Sequence, residues 1–327
     1  MADIFKLPSY PWHDEVWRSL WMRGNQLPHA MLISGMNGLG KNDFAQRLAI
    51  TLLCSSPSAS GACGQCKNCK LLAAGNHPDL TVITPDEDKS TIVVDQVREL
   101  SNFLALKPHI ASHKLIVITP AEAMNINAAN SLLKMLEEPP LGNIILLVSS
   151  HPHRLPITVR SRCSTVGFRT PEQTVAVAWL QTQEDRGDWT LILALAGGAP
   201  LTALSLAREG FLQDRQQLMT DIETLSTTKG DPSTCADRWK KLGSERCLLW
   251  LQGLLADLIR LASGIRDPNL TNADLSGQLH DLNKRLNLKR LYDYADVLSE
   301  ARRLLTTTVD QQLLLEDLLI RWNRLYR

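Results

Sequence analysis

The chain has 327 residues, 44% of them hydrophobic, with 35 basic and 34 acidic side chains and a net charge of +1. At ~150 residues per domain this is about two domains, or three small ones, and the charge balance excludes bulk electrostatic capture of nucleic acid, leaving room only for a local patch. No apolar run approaches the ~18–20 residues that cross a bilayer, and Met1-Ala-Asp-Ile-Phe-Lys6 carries no secretory stretch, so the expectation is a cytoplasmic protein with no membrane partner and no structural disulfides among its seven cysteines.

Ala30-Met-Leu-Ile-Ser34 reads as a strand, and Gly35-Met-Asn-Gly-Leu-Gly-Lys-Asn42 follows at once. This is a phosphate loop, G-x-x-x-x-G-K-[ST], with Asn42 where the magnesium-holding hydroxyl belongs. Gly35, Gly40 and Lys41 are its candidate phosphate contacts. Residues 43–53 read as a helix with Phe44, Leu48 and Leu52 on one stripe. Further strands are expected at 80–83, 114–119 and 143–149. A helix through Val97, Leu100 and Leu104 takes Asp95 as its cap, and another runs from 127 to 137, stopped by Pro139-Pro140. Alternating strands and helices predict an α/β domain with a parallel sheet covered on both faces.

The pattern changes after about residue 168. Short helices are expected from Pro171, from Leu191 to Ala196, and from Pro200 to about Glu209, with Gly210 as a boundary. Beyond it the signal is helical, with Asp267-Pro268-Asn269 as a loop. Leu248, Leu251, Leu254, Leu255, Leu258 and Ile259 form one stripe; Leu313, Leu314, Leu318 and Trp322 form another. Such stripes suit burial in the domain's own core and association with partner helices equally. The resulting boundaries are 1–168, 169–210 and 211–327.

Cys54, Cys63, Cys66 and Cys69 are spaced C-x8-C-x2-C-x2-C, which suits a closed, structural four-thiolate zinc site. Free loop cysteines and a redox C-x-x-C are the alternatives, and the redox reading leaves two cysteines unexplained. His77 offers another fourth ligand in place of Cys54. Cys163, Cys235 and Cys247 are scattered and read as packing residues.

A phosphate-loop ATPase also needs an acid at the end of a second strand. The strand at 114–119 ends in Thr119-Pro120, and Glu122 comes three residues too late, where it reads as a solvated loop carboxylate. Both protein anchors of magnesium are therefore missing together. Lys41 and the glycines are left either to bind nucleotide weakly or to persist as a remnant.

Several features occur in order: His29-Ala30, the phosphate loop, the cysteine module, His77-Pro78-Asp79, Val94-Asp95-Gln96-Val97-Arg98, Asn127-Ala-Ala-Asn-Ser-Leu-Leu-Lys-Met-Leu-Glu-Glu-Pro139 and Ser161-Arg162-Cys163. This array resembles the clamp-loader branch of the AAA+ proteins, over roughly residues 1–205. The resemblance implies an AAA+ domain (1–168) with an inserted zinc module (54–69), a small helical lid (169–210) and an all-helical oligomerisation collar (211–327). It implies that Arg162 is an arginine finger, placed by Ser161 and Cys163, which reaches ATP held by a neighbouring subunit. By bare chemistry, Arg160 and Arg162 are ordinary surface arginines. Motor subunits of the gamma/tau type carry an arginine after the Gly pair of the lid; here Gly197-Gly198-Ala199-Pro200-Leu201 puts Leu201 in that place.

The reading that follows is a non-hydrolysing subunit in a hetero-oligomeric ring with gamma/tau and delta subunits of bacterial DNA polymerase III. It would meet the sliding clamp and primed DNA through that complex, with zinc as a structural cofactor and ATP doubtful in its own site. It would belong to a DNA-directed DNA polymerase holoenzyme while having no activity alone. Two other readings remain: an ATP-hydrolysing motor with an atypical magnesium site at Glu122, and a zinc module that contacts DNA. Against the last, residues 54–70 hold only Lys67 and Lys70 as basic groups and no aromatic.

Overall fold

A computed structural model describes residues 7–326 apart from 88, 140–141, 185–186, 228–229, 266–267, 306 and 308. Met1–Lys6, Pro140 of the expected helix stop and Asp267 of the expected loop lie outside the described residues. The chain divides into two units, residues 1–175 and 176–327.

In the first unit, β1 (Ala30–Ser34), β2 (Leu80–Ile83), β3 (Lys114–Ile118), β4 (Asn143–Ser149) and β5 (Ser164–Gly167) form one sheet in the order β2-β3-β4-β1-β5. Every pairing is parallel, with Leu32 opposite Leu147 and Ile116 opposite Ile145. The three central strands are buried along their whole length, as a sheet covered on both faces requires. Helices α1 (Asp14–Arg23), α2 (Lys41–Leu53), α3 (Lys67–Ala73), α4 (Val94–Ala105), α5 (Ile126–Glu137) and α6 (Ile157–Arg160) complete the unit. Leu32, Ile116, Ile118, Ile145 and Leu147 share a core with Val97, Leu100 and Leu104 of α4 and with Leu132 and Leu136 of α5. Helix α2 packs on β1, β3 and β4. This is the expected α/β domain, a parallel sheet with helices on both faces.

Two differences have local causes. Asp95 does not cap α4. The cap position is Val93, and Gln96 turns back so that its Oε1 accepts from the Val93 N–H at 3.0 Å. Strand β5 carries no apolar run. It is an edge strand whose residues alternate between partial burial and exposure, and pairing with β1 alone defines it.

The second unit holds most of α7 (Gln173–Gln183), then α8 (Trp189–Leu195), α9 (Pro200–Arg208), α10 (Phe211–Ser226), α11 (Pro232–Leu242), α12 (Ser244–Ala262), α13 (Ser276–Asn283), α14 (Leu288–Leu304) and α15 (Gln311–Leu325). One apolar core runs through it, from Leu180 and Trp189 to Trp239, Leu251, Tyr294 and Trp322. Leu248, Leu251, Leu254, Leu255 and Leu258 are buried there, so this stripe is consumed inside the unit; Cys235 and Cys247 are core residues. Leu313 departs from expectation. Asp310 caps α15 through the N–H groups of Gln312 and Leu313, and in that first turn Leu313 is 65% exposed, while Leu314, Leu315, Leu318, Leu319 and Trp322 face inward. Among the described residues, no single helix is long and apolar enough to cross a membrane.

Candidate functional site

The phosphate loop leaves the carboxyl end of β1 and enters α2, where parallel sheets place their ligands. Two glycines are needed by contact. A Cβ on Gly35 would sit 2.6 Å from the Phe168 carbonyl oxygen, and one on Gly40, at φ +74°, would sit 2.3 Å from the Tyr10 ring. The N-terminal segment closes over the loop: the Leu39 carbonyl accepts from Trp12 Nε1 at 3.0 Å and from His13 Nε2 at 2.7 Å, and Tyr10 donates to Asp43 Oδ2 at 2.7 Å. Burial, reinforced by the Asp43 bond, pushes the Tyr10 phenol pKa up; burial pulls that of His13 down. Lys41 is 5% exposed, and its ammonium donates to the loop's own Met36 carbonyl at 2.8 Å. Burial lowers its pKa, an effect offset in part by the Glu122 carboxylate.

The two positions that hold magnesium in an active site meet here as neutral groups. Thr119, at the end of β3, donates its hydroxyl to Asn42 Oδ1 at 2.7 Å. Each satisfies the other, and neither offers an anionic oxygen to an ion. Glu122 is not the solvated carboxylate expected. Its side chain is 9% exposed, and its Oε1 accepts from the backbone N–H groups of Ser150 (2.9 Å) and His151 (3.2 Å), which follow β4. Burial raises the carboxyl pKa, but these bonds and those from Ser149 and His151 outweigh it, and the net shift is downward. Ser150 Oγ in turn donates to Asn37 Oδ1 at 2.6 Å, tying the phosphate loop to the end of β4.

Arg162 lies in the turn between α6 and β5 and is exposed. Its Nη1 donates to the Thr158 carbonyl at 2.9 Å, and its Nη2 lies 2.5 Å from Glu137 Oε1, at the end of α5. Ser161 Oγ donates to the same Thr158 carbonyl at 3.1 Å, and Cys163 packs against the sheet core, its thiol pushed by burial up to about 11. Arg160 is the less available arginine, with its Nε buried. Leu201, the second residue of α9, is half-buried in the second unit.

The four cysteines of the module converge. Their Sγ atoms lie within 4.8 Å of one another, with Cys54–Cys66 at 3.9 Å and Cys63–Cys69 at 4.0 Å. A tetrahedral ion with metal–sulfur bonds of ~2.3 Å sets its sulfurs ~3.8 Å apart, so the donor set has the size a metal ion needs. Backbone N–H groups point at the sulfurs, from Cys63 to Cys54 at 3.3 Å and from Cys69 to Cys66 at 3.4 Å. Cys66 thereby caps α3. His77 is outside this cluster.

Sequence reasoning did not single out Asp79, Glu137 or the Tyr10–Trp12–His13 cover. Asp79 is fully buried and accepts from three consecutive N–H groups, those of His109 (2.7 Å), Ile110 (2.9 Å) and Ala111 (2.9 Å). The aromatic cluster of Tyr10, Trp12 and His13, ahead of α1 and β1, was the available signal for the cover. For Asp79 the signal was only its place in His77-Pro78-Asp79.

The chain matches the family model described as DNA polymerase III, delta subunit over residues 15–172, and the model for the C terminal of the DNA polymerase III delta subunit over residues 209–324. It is similar to the DNA polymerase III subunit delta' of Pseudomonas aeruginosa, 36% identical over 98% of each chain. The subunit delta' of Escherichia coli is 33% identical over 90% of this chain and 88% of its own. The subunit tau/gamma of Haemophilus influenzae is 34% identical over 50% of this chain and 24% of its own.

Proposed function

The chain belongs to the DNA polymerase III delta-prime family, and on that premise we propose that it is a clamp-loader subunit which does not hydrolyse ATP itself and supplies Arg162 to ATP held by a neighbouring subunit. The observation that carries this reading is the Thr119–Asn42 hydrogen bond, which pairs the two magnesium positions with each other. Arg162, by contrast, is exposed at the tip of a turn built to hold it. A guanidinium is planar and permanently charged, and it stabilises charge on a phosphoryl group in flight. Gly35, Gly40 and Lys41 keep the form of a phosphate cradle, with Lys41 held by the loop's own carbonyl. Their role in this proposal is to hold the sheet and its loops, so that the finger's turn is fixed.

The neighbours proposed are gamma/tau and delta subunits in a hetero-oligomeric ring of the DNA polymerase III holoenzyme. Within the chain we assign residues 169–210 as a lid and 211–327 as a collar. Zinc is the metal proposed for Cys54, Cys63, Cys66 and Cys69, where a closed four-thiolate set gives it a structural role. Sliding clamp and primed DNA are engaged through the complex, in the cytoplasm.

The test is Arg162→Ala in a reconstituted loader. An arginine finger is worth ~10³-fold or more at its own site, so DNA-stimulated ATPase should fall by nearly the whole contribution of the site it serves, with the variant folded. An unchanged rate removes the assignment. The competing reading, an active motor with magnesium at Glu122, leans on the Oε2 of that carboxylate, which is buried without a hydrogen-bond partner; it has less support because Oε1 is committed to Ser150 and His151 and because Asn42 and Thr119 are paired with each other.

A further inference from the structure

Arg162 reaches solvent as a restrained group. Its guanidinium has five N–H bonds, and two points of the same chain engage it: the Thr158 carbonyl at Nη1 and the Glu137 carboxylate at Nη2. The two holders come from separate elements. Thr158 belongs to α6, one turn before the arginine. Glu137 is the last residue of α5, whose Leu132, Met135 and Leu136 are buried against the sheet. Glu137 is itself exposed, with about half of its side chain in solvent, and nothing in the core requires its charge.

We propose that Glu137 is the positioning residue of the arginine finger: it fixes the guanidinium against the end of α5, so that Arg162 meets a neighbour's phosphates already oriented. The inference rests on the finger reading above. Its physical basis is rotamer freedom. A free arginine must give up its side-chain freedom on reaching a phosphate, whereas one already held at two nitrogens has given up part of it beforehand. The two contacts leave N–H groups on Nε, Nη1 and Nη2 for the ligand, so they aim the group without consuming it. Because ATP is held by the neighbour, loss of Glu137 should act on the chemical step and leave ATP binding alone.

The experiment is a double-mutant cycle in the reconstituted loader, reading kcat and KM of DNA-stimulated ATPase for the wild type, Glu137→Ala, Glu137→Gln, Arg162→Ala and the Glu137→Ala/Arg162→Ala pair. For a half-exposed ion pair the expected fall on Glu137→Ala is roughly three- to fivefold in the share of kcat that Arg162→Ala removes, with KM for ATP unchanged. Glu137→Gln, which keeps the length and an acceptor oxygen, should recover most of it. In the Arg162→Ala background, Glu137→Ala should change nothing further. A wild-type kcat for Glu137→Ala, an equal fall in both backgrounds, or a fall that tracks a lowered melting temperature of the isolated subunit would each overturn the proposal. If Arg162→Ala itself has no effect, the finger reading fails and this inference goes with it. If Arg162→Ala is severe and Glu137→Ala is silent, only the positioning role fails.

Discussion

Asp79 has lost contact with water and keeps its charge. Burial alone would raise its carboxyl pKa, but the N–H groups of His109, Ala111 and Ile110 and the neighbouring His77 outweigh burial, and the net shift is downward. The carboxylate thereby closes the loop between α4 and β3 and sets the entry of β3 into the sheet. Asp79→Asn keeps the shape but turns an amide N–H₂ toward N–H donors. It should cost ~2–3 kcal/mol at neutral pH, measured by urea unfolding. The sign with pH follows from linkage. A carboxylate whose folded pKa lies below its unfolded value of ~3.9 contributes fully above that value and loses the contribution as pH falls through the folded pKa. The gap between wild type and variant should therefore begin to narrow only below about pH 4 and close as pH falls through the lower folded pKa, and a gap that does not narrow with falling pH in that range would contradict the assignment. The residue scale also holds the feature on which the proposed lack of ATP turnover rests. Asn42 was visible as a missing hydroxyl, and Thr119 as a missing acid. Their mutual hydrogen bond, which makes the loss self-consistent, joins residues 77 apart in sequence.

At the scale of elements, the cysteine module links two helices. Cys54 ends α2, Cys66 caps α3, and Cys69 lies inside α3. Asn68 adds a hydrogen bond from α3 to the Leu53 carbonyl at 2.7 Å. A metal held here binds the turn between the helices and leaves the sheet to its own core. The chain should accordingly contain about one zinc per molecule by mass spectrometry, in keeping with a closed four-thiolate site. Chelation should speed amide exchange across residues 54–73 by at least ~10-fold while β1, β3 and β4 stay protected. Metal-free protein with the same protection in 54–73 would refute a structural metal. The same scale explains what the sequence reading missed. Strands β1, β3 and β4 have apolar interiors because both faces are covered, and those short continuous apolar runs are visible in the sequence. Strand β5 is an edge strand with Val166 as its one aliphatic residue, and only its register with β1 makes it a strand. Helix α15 is legible as a helix, but which leucines face inward depends on where Asp310 starts it.

For the whole molecule, the prediction is an absence of turnover: the isolated chain should show no magnesium-dependent ATPase above background. Turnover abolished by Lys41→Ala would restore the motor reading with Glu122 as its ligand. The leucine stripe of α12 lies within the second unit's core, so the partner contacts proposed for this unit would use other side chains; Leu249 and Leu313 are exposed apolar residues on α12 and α15. Buried polar centres in that unit escaped the sequence entirely. Asp221 accepts from Trp239 Nε1 and Arg238, and Asp257 from the backbone of Thr271 and Asn272, because charge pairing across helices has no linear signature. By itself the sequence determined what depends on local order. The strand–loop–helix of the phosphate loop, the four-cysteine spacing, the two absent magnesium ligands and the Ser161-Arg162-Cys163 turn all lie within short segments, where covalent spacing dictates geometry. Only the tertiary structure decided which distant groups meet: Thr119 with Asn42, Glu122 with Ser150 and His151, Tyr10 on Gly40, and Glu137 with Arg162. Those pairings depend on strand order and helix docking, and a parallel sheet brings residues together across crossovers whose length the sequence shows but whose partners it does not.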